Sequence, residues 1–337
     1  SRSVPKLYGI IPESYLLIND GHGKFTDGAS SRAPELSQVG MVTDAVWADL
    51  NGDTFKELVV VGEWMPVTVF ENQGGRLVNA TEEYGLQGTR GWWNTVAAGD
   101  FNEDGSVDLV AGNLGLNSLL KTSADEPVQL FIHDFAENDR PDQILTYYNG
   151  GKPYPMASRE LMLDNMPLLQ EKYTTYAEYA GESVQDIFSR EQLEAATVRT
   201  ATEFASVLLM NNGDLDHSGF TVSRLPVEAQ FSPLYSVLID DFNGDGHQDI
   251  VSGGNFSGVR PDRGIYDASY GSLLLGNGTG RFASPTLQES GFVVTGEVRA
   301  IRSLHVASGE TLIMAAQNNN SVEIFRLLKR SEEINEK

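Results

Sequence analysis

Hydrophobic and polar positions recur along this chain in one order: a hydrophobic run, a loop rich in Asp and Asn, a second hydrophobic run, then a stretch ending in Asn and Gly ahead of Phe or Leu. The clearest copy is TVAAGDFNEDGSVDLVAGN, from Thr95 to Asn113, and SVLIDDFNGDGHQDIVSGGN, from Ser236 to Asn255, matches it almost position for position. An earlier copy, DAVWADLNGDTFKELVVVGEW from Asp44 to Trp64, carries Thr54 where the others have Gly105 and Gly246, and Glu57 where they have Asp. The later half of each repeat appears as YLLINDGHGKF (Tyr15 to Phe25), VTVFENQGGRL (Val67 to Leu77) and SLLLGNGTGRF (Ser272 to Phe282). Asn-Gly and Gly-Gly steps supply the positive φ angles of hairpin turns, and the flanking Val, Leu and Phe alternate as half-buried strands do.

The pattern therefore predicts an all-β chain of short antiparallel meanders. Such units cannot bury both faces alone, and packing side by side around an axis gives a β-propeller. About five or six blade-like units are expected, with Thr295 to Leu327 the last and the Tyr15 to Phe25 hairpin set to close the ring against it. One region breaks the rhythm: residues 156–204 show apolar positions at helical spacing, with Ser189 ahead of Glu191 and Gln192 resembling a helix start and Pro167 breaking or opening another. It is read as a helical insertion, either a brace over the blade edges or a functional lid, in a single domain spanning residues 1–337.

Composition narrows the classes. Forty percent apolar residues, with 15 Phe, 12 Tyr and 4 Trp, suit a folded globular chain. Asp and Glu number 47 against 24 Lys and Arg, a net charge of −23 that repels a phosphate backbone, so nucleic acid is not an expected partner. The absence of cysteine removes disulfides and thiolate chemistry, leaving another device to staple the loops. No stretch approaches the roughly 18 to 20 apolar residues that span a bilayer, and Ser1 to Lys6 offers neither Met nor a signal-peptide core, which reads as a segment of a longer precursor.

The acidic loops carry the candidate chemistry. In Asp100, Asn102, Asp104 and Asp108, side-chain oxygens fall at positions one, three, five and nine of a loop with Gly105 at six, and Ser106 adds a carbonyl at seven. Calcium takes six to eight oxygens at about 2.3 to 2.6 Å, and this spacing can supply five of them. The equivalent donors are Asp241, Asn243, Asp245, Asp249 and the His247 carbonyl in the late copy, and Asp49, Asn51, Asp53, Glu57 and the Phe55 carbonyl in the early one. Val60, Ala111 or Ser252 stands at position twelve, where an EF-hand needs Glu, and strand-forming residues follow, so the loop joins two strands. A weaker fourth copy holds Asp134, Asn138 and Asp142, with Ala136 removing a ligand.

These loops, with Gly62 to Trp64, Gly91 to Asn94, Gly112 to Asn117, Tyr176 to Ala180 and Gly264 to Ala268, resemble FG-GAP/VCBS repeat proteins of the ASPIC/UnbV and cartilage-acidic-protein type over nearly the whole chain. The resemblance implies a propeller similar in blade design to that of the integrin α-subunit, calcium in the loops, and a secreted or surface-attached protein, outer-membrane-associated or extracellular in a bacterium. Thr54, Glu57 and Ala136 depart from the usual loop.

The five histidines sit in unrelated segments and accompany no nucleophile elbow, which points away from catalysis. A carboxylate pair acting on a glycan, as in a polysaccharide lyase or hydrolase, is the alternative. For a binding module the expected partner is a protein or glycan at a propeller rim, with Trp64, Trp92, Trp93, Tyr147, Tyr148 and Tyr266 available to stack or anchor unless they are buried between blades. A rigid, calcium-stabilised spacer with no ligand is the third reading.

Overall fold

The computed structural model describes residues 1–213, 219–260 and 264–328. The chain opens with a short hairpin, β1 (Leu17–Asn19) and β2 (Phe25–Asp27), followed by a single helical turn, α1 (Ala29–Arg32). The first full sheet comprises β3 (Met41–Ala48), β4 (Glu57–Met65), β5 (Thr68–Asn72) and β6 (Leu77–Asn79) in order, with β7 (Gly91–Trp92) pairing back onto β4. The second sheet begins with β8 (Thr95–Gly99) and β9 (Asp108–Gly112), but its third strand does not follow directly. A separate sheet intervenes, built from β10 (Val128–His133), β11 (Asp142–Asn149), β12 (Lys152–Pro155), the short helices α2 (Arg159–Asn165), α3 (Tyr176–Tyr179), α4 (Val184–Ile187) and α5 (Arg190–Ala195), and then β13 (Thr197–Ala201). The second sheet then resumes with β14 (Val207–Asn211), which pairs with β9, and ends with β15 (Phe220–Arg224). A third sheet runs β16 (Leu234–Asp240), β17 (Asp249–Gly254), β18 (Ser272–Gly276) and β19 (Phe282–Ala283); after α6 (Leu287–Ser290), β20 (Val298–His305), β21 (Thr311–Gln317) and β22 (Glu323–Arg326) form a three-stranded one.

The mostly β, antiparallel architecture is thus as the alternation predicts. The first strands β3, β8, β16 and β20 neighbour one another in turn, so four sheets stand side by side. Among the described residues no strand pairing joins the last sheet back to the first. The amino-terminal hairpin does not close against β20–β22. Its strands are largely exposed, and the segments on either side, through Leu16 and through Ala33 and Leu36, pack on Leu58, Val60, Phe70 and Leu77 of the first sheet.

Period-two alternation explains the packing. In β4, Val59 and Val61 face the second sheet beside Leu109, Ala111 and Val207, while Leu58 and Val60 face the hairpin side, so every residue of this strand is buried. Val110 turns the other way toward Val237 and Ile250, and Val251 toward Ile301 and Ala315, which repeats the arrangement across successive sheets. Glycine stands toward the ends of second strands where backbones crowd: a Cβ on Gly62, inside β4, would stand 2.2 Å from the Met41 carbonyl oxygen, and one on Gly254, the last residue of β17, would stand 1.8 Å from that of Pro233.

The insertion is larger than its helical part. Residues 113–206 leave and rejoin the second sheet, and the helices end at Ala195; Thr197–Ala201 is a strand paired with β10 rather than more helix. One face of the inserted sheet packs Val128, Leu130 and Ile132 against Met41, Trp64 and Phe204, and the other packs Phe131 and Ile144 against Met162, Met166 and Tyr173 of the helical segment. Ser189 does open α5, through a capping box with Gln192, and Pro167 opens a 3-10 turn.

Candidate functional site

Three acidic loops occupy one topological place, the connection from the edge strand that opens a sheet to its neighbour, β3–β4, β8–β9 and β16–β17, and the fourth joins β10 to β11, the two central strands of the inserted sheet. Their local fold is shared. In the second loop the amide of Gly105 donates to Asp100 Oδ2 at 3.0 Å, that of Asp104 to Asn102 Oδ1 at 3.2 Å, and that of Ser106 to Asp104 Oδ1 at 2.7 Å. The third loop repeats these bonds with Gly246 on Asp241 at 2.9 Å, Asp245 on Asn243 at 2.8 Å and His247 on Asp245 at 2.9 Å. The first has Thr54 on Asp49 at 3.0 Å, Asp53 on Asn51 at 3.0 Å and Phe55 on Asp53 at 2.7 Å. In the fourth, Asn138 and Asp139 donate to Asp134 at 2.9 and 2.7 Å, and Ala136 leaves the third position without an oxygen.

Positions three and five also touch through their side chains, Asn102 Nδ2 donating to Asp104 Oδ2 at 2.7 Å and Asn243 Nδ2 to Asp245 Oδ2 at 2.8 Å. Each of the first three loops thus brings two carboxylates and one amide together on short, amide-held turns. The set is all oxygen, and in the second loop Asp100 Oδ1 is buried with no hydrogen-bond partner. A hard cation fits that donor chemistry. Among the described residues no group of three or more Asp, Glu, His or Cys side chains is assembled to hold a metal, and the reason lies at position nine.

The ninth-position acids are fully or largely buried and turned onto backbone. Asp108 accepts from the Phe101 amide at 2.9 Å and the Asn211 amide at 2.8 Å; Asp249 accepts from Phe242 at 2.9 Å and Gly276 at 2.8 Å. Glu57 accepts from Leu50 at 2.7 Å and Asn72 at 3.5 Å, and Asp142 from Ala136 at 2.9 Å. In the three side-by-side sheets this carboxylate ties the start of its own loop to the end of the third strand. Burial pushes Asp108 up from the usual carboxylate range to about 6 against the opposing pull of the two amides, and it raises Glu57, Asp142 and Asp249 as well. Asp104 sits near the surface, where hydrogen bonds from Ser106 and Asn102 outweigh its slight burial and hold it below its usual range.

Of the departures noted in the sequence Thr54 has a backbone cost, and Glu103 shares it. Thr54 takes φ 75°, where Gly105 and Gly246 take 87° and 92°, and Glu103 takes φ 59° at the position of Gly52 and Gly244. Glu103 reaches across to the next sheet, its Oε1 lying 2.5 Å from His247 Nδ1, so the second and third loops are joined. That contact, with Glu103 the main cause, raises His247 above the usual imidazole range. Of the other histidines, His22, His133 and His305 lie in separate segments, and His217 lies outside the described residues.

The aromatic residues divide. Trp93 and Trp64 are buried, with Trp93 Nε1 donating to the Thr89 carbonyl and Trp64 Nε1 to Tyr8 Oη. Trp92, the neighbour on the opposite strand face, instead lines a cavity of about 470 Å³ together with Tyr8, Tyr235, Phe256 and Tyr266. The half-buried Tyr147 packs at a tilt against Tyr154 and belongs to the core under the inserted sheet, and Tyr148 is half-buried on β11. Tyr8, Tyr235 and Phe256 fall outside the repeat copies: Tyr8 precedes the first, Tyr235 stands just before the copy that starts at Ser236, and Phe256 just after its end at Asn255.

Residues 49–111 match the FG-GAP-like repeat, the segment that holds the first two acidic loops. A search of curated proteins finds no match. Among solved structures the chain is similar to the V. cholerae biofilm matrix protein Bap1, at 9% identity and a TM-score of 0.33, with 96% of this chain and 70% of that one covered. Among the described residues no helix is long and apolar enough to cross a membrane.

Proposed function

We propose that this chain is a calcium-stabilised β-propeller of FG-GAP/VCBS type, related to ASPIC/UnbV proteins, that acts outside the cell or at its surface as a non-catalytic binding, adhesion or scaffold module. The observation that supports it is the recurrence of one acidic loop, with one internal hydrogen-bond pattern, at the same connection of successive sheets. A solvated turn has no reason to be repeated with its carboxylates in register. Asp100, Asn102, Asp104 and the Ser106 carbonyl would hold the ion in the second loop, Asp241, Asn243, Asp245 and the His247 carbonyl in the third, and Asp49, Asn51, Asp53 and the Phe55 carbonyl in the first. Asp100 Oδ1, buried without a partner, is the oxygen most in need of one. In this role calcium supplies charge neutralisation and cross-linking, stabilising the folded state by mass action.

Thermal unfolding with calcium and with chelator tests the proposal, in the unaltered chain and in Asp104→Ala and Asp245→Ala. A calcium-dependent rise in midpoint that each substitution reduces is expected. A midpoint indifferent to calcium would leave the loops as solvated turns and remove the reading.

A further inference from the structure

Two hollows adjoin on one side of the molecule and share Arg2, Asn94 and Tyr235. The first is the cavity of about 470 Å³ with its four-ring wall of Trp92, Tyr235, Phe256 and Tyr266, a volume within the range of small-ligand sites. The second, about 320 Å³, is polar and gathers Asp44, Ser236, Arg299 and Arg302 at the first strands β3, β16 and β20.

The charge here runs against the rest of the chain. In a protein of net charge −23, the two hollows are lined by Arg2, Arg260, Arg299 and Arg302 against Glu63 and Asp44 alone. Asp44 is engaged by the Thr95 hydroxyl at 2.8 Å and the Val96 amide at 3.1 Å, Arg2 pairs with Glu63 at 2.6 Å, and Arg299 pairs with Glu297 at 2.6 Å and lies over Tyr235 at 4.2 Å. Arg302 is exposed and bonds only the Ile301 carbonyl at 2.7 Å, with no carboxylate partner among the described residues.

The aromatic hollow is not wholly apolar. Asn94, Gln143 and the Arg2–Glu63 pair stand in its lining. An alkyl chain filling the hollow would dehydrate these groups without returning a hydrogen bond. Hydroxyl groups, each a donor and an acceptor on one oxygen, can return it.

We propose that the two hollows form one site for an acidic oligosaccharide, with a sugar ring against the Trp92 and Tyr266 wall and its neighbour's carboxylate at Arg302 and Arg2. This rests on the reading as a binding module and names the ligand class for it. Rings present apolar C–H faces to aromatic planes and hydroxyls to the lining Asn94 and Gln143, and a carboxylate matches the guanidinium fork.

The test is titration calorimetry on the full chain, with calcium in excess over ligand carboxylate, using tetragalacturonate, cellotetraose and a tetraglutamate peptide as probes. Tetragalacturonate should bind, cellotetraose should bind at least about tenfold more weakly, and Arg302→Glu should weaken tetragalacturonate about tenfold or more. Arg302→Glu should leave the thermal midpoint and its calcium response unchanged. Equal binding of the two sugars overturns the acidic assignment, preference for tetraglutamate assigns the site to a protein segment instead, and no binding by any probe overturns the site. A midpoint in the unaltered chain that ignores calcium would overturn the propeller reading separately.

Discussion

Replacing Asp108 with alanine separates two jobs that one carboxylate could do. Its side chain is fully buried and receives amides from Phe101 at 2.9 Å and Asn211 at 2.8 Å, so truncation leaves two buried N–H donors without acceptors. Each such loss costs about 1–3 kcal/mol, more where the lost acceptor was charged. Against this stands the burial of the charge itself, the main cause of the raised Asp108 pKa, a cost the variant recovers at neutral pH. The net expectation is a loss of about 2 kcal/mol, present in chelator and in calcium alike. Asp108→Asn, which keeps one acceptor and removes the charge, should lose less. Asp104, near the surface, should cost under about 1 kcal/mol in chelator when replaced by alanine. Urea unfolding followed by tryptophan fluorescence, with and without calcium, gives all of these values. An Asp108→Ala variant as stable as the unaltered chain in chelator, losing stability only when calcium is present, would refute the staple and make position nine a ligand alone.

The remaining predictions concern backbone strain, caps and a buried phenol. Thr54→Gly should gain about 0.5–1 kcal/mol in chelator by relieving φ 75°, read as a raised urea midpoint, while Thr54→Ala should not. Gly254→Ala should lose more than about 3 kcal/mol, or fail to accumulate as folded protein, because its Cβ has no room beside Pro233. Ser189→Ala should cost about 1 kcal/mol in urea unfolding by dismantling the α5 capping box. Tyr179 donates its hydroxyl to the Ala157 carbonyl at 3.0 Å and burial pushes its pKa up to about 12. The folded state therefore favours the neutral phenol, so its contribution is whole below the ordinary value near 10 and is lost as pH rises through about 12. Tyr179→Phe should flatten the alkaline fall in stability over that window, and an unchanged slope would locate the fall elsewhere.

What the sequence reveals of this fold follows from what is local. The run Leu58–Val61 announces a strand buried on both faces, and the three strong loop copies announce their shared place between first and second strands, because both signals reside within a few consecutive residues. The inserted sheet escapes for the opposite reason. Its existence depends on β9 pairing with β14, Ala111 opposite Val207, across everything between them, and no periodicity records which strand another will find. Thr197–Ala201 compounds the difficulty: a mostly polar segment directly after α5 reads as more of the same helix until β10 supplies its partner.

The candidate site shows the same division at the level of single side chains. Spacing identifies Asp100, Asn102 and Asp104 as a cluster because a tight loop leaves them nowhere else to go. It cannot assign Asp108, since an acid that begins a strand is equally placed to face the loop or to grip the neighbouring backbone, and the amide of Asn211 that decides the matter lies across the insertion. Trp92 and Trp93 show the division in adjacent residues: one lines the cavity and the other is buried in the core. Which one depends on the second sheet's Leu109 and Val207 claiming Trp93 for the core. The same core fixes the backbone of Gly91–Trp92 and leaves the Trp92 indole on the cavity side, so the stability of this array and the shape of its hollow are set by one set of contacts.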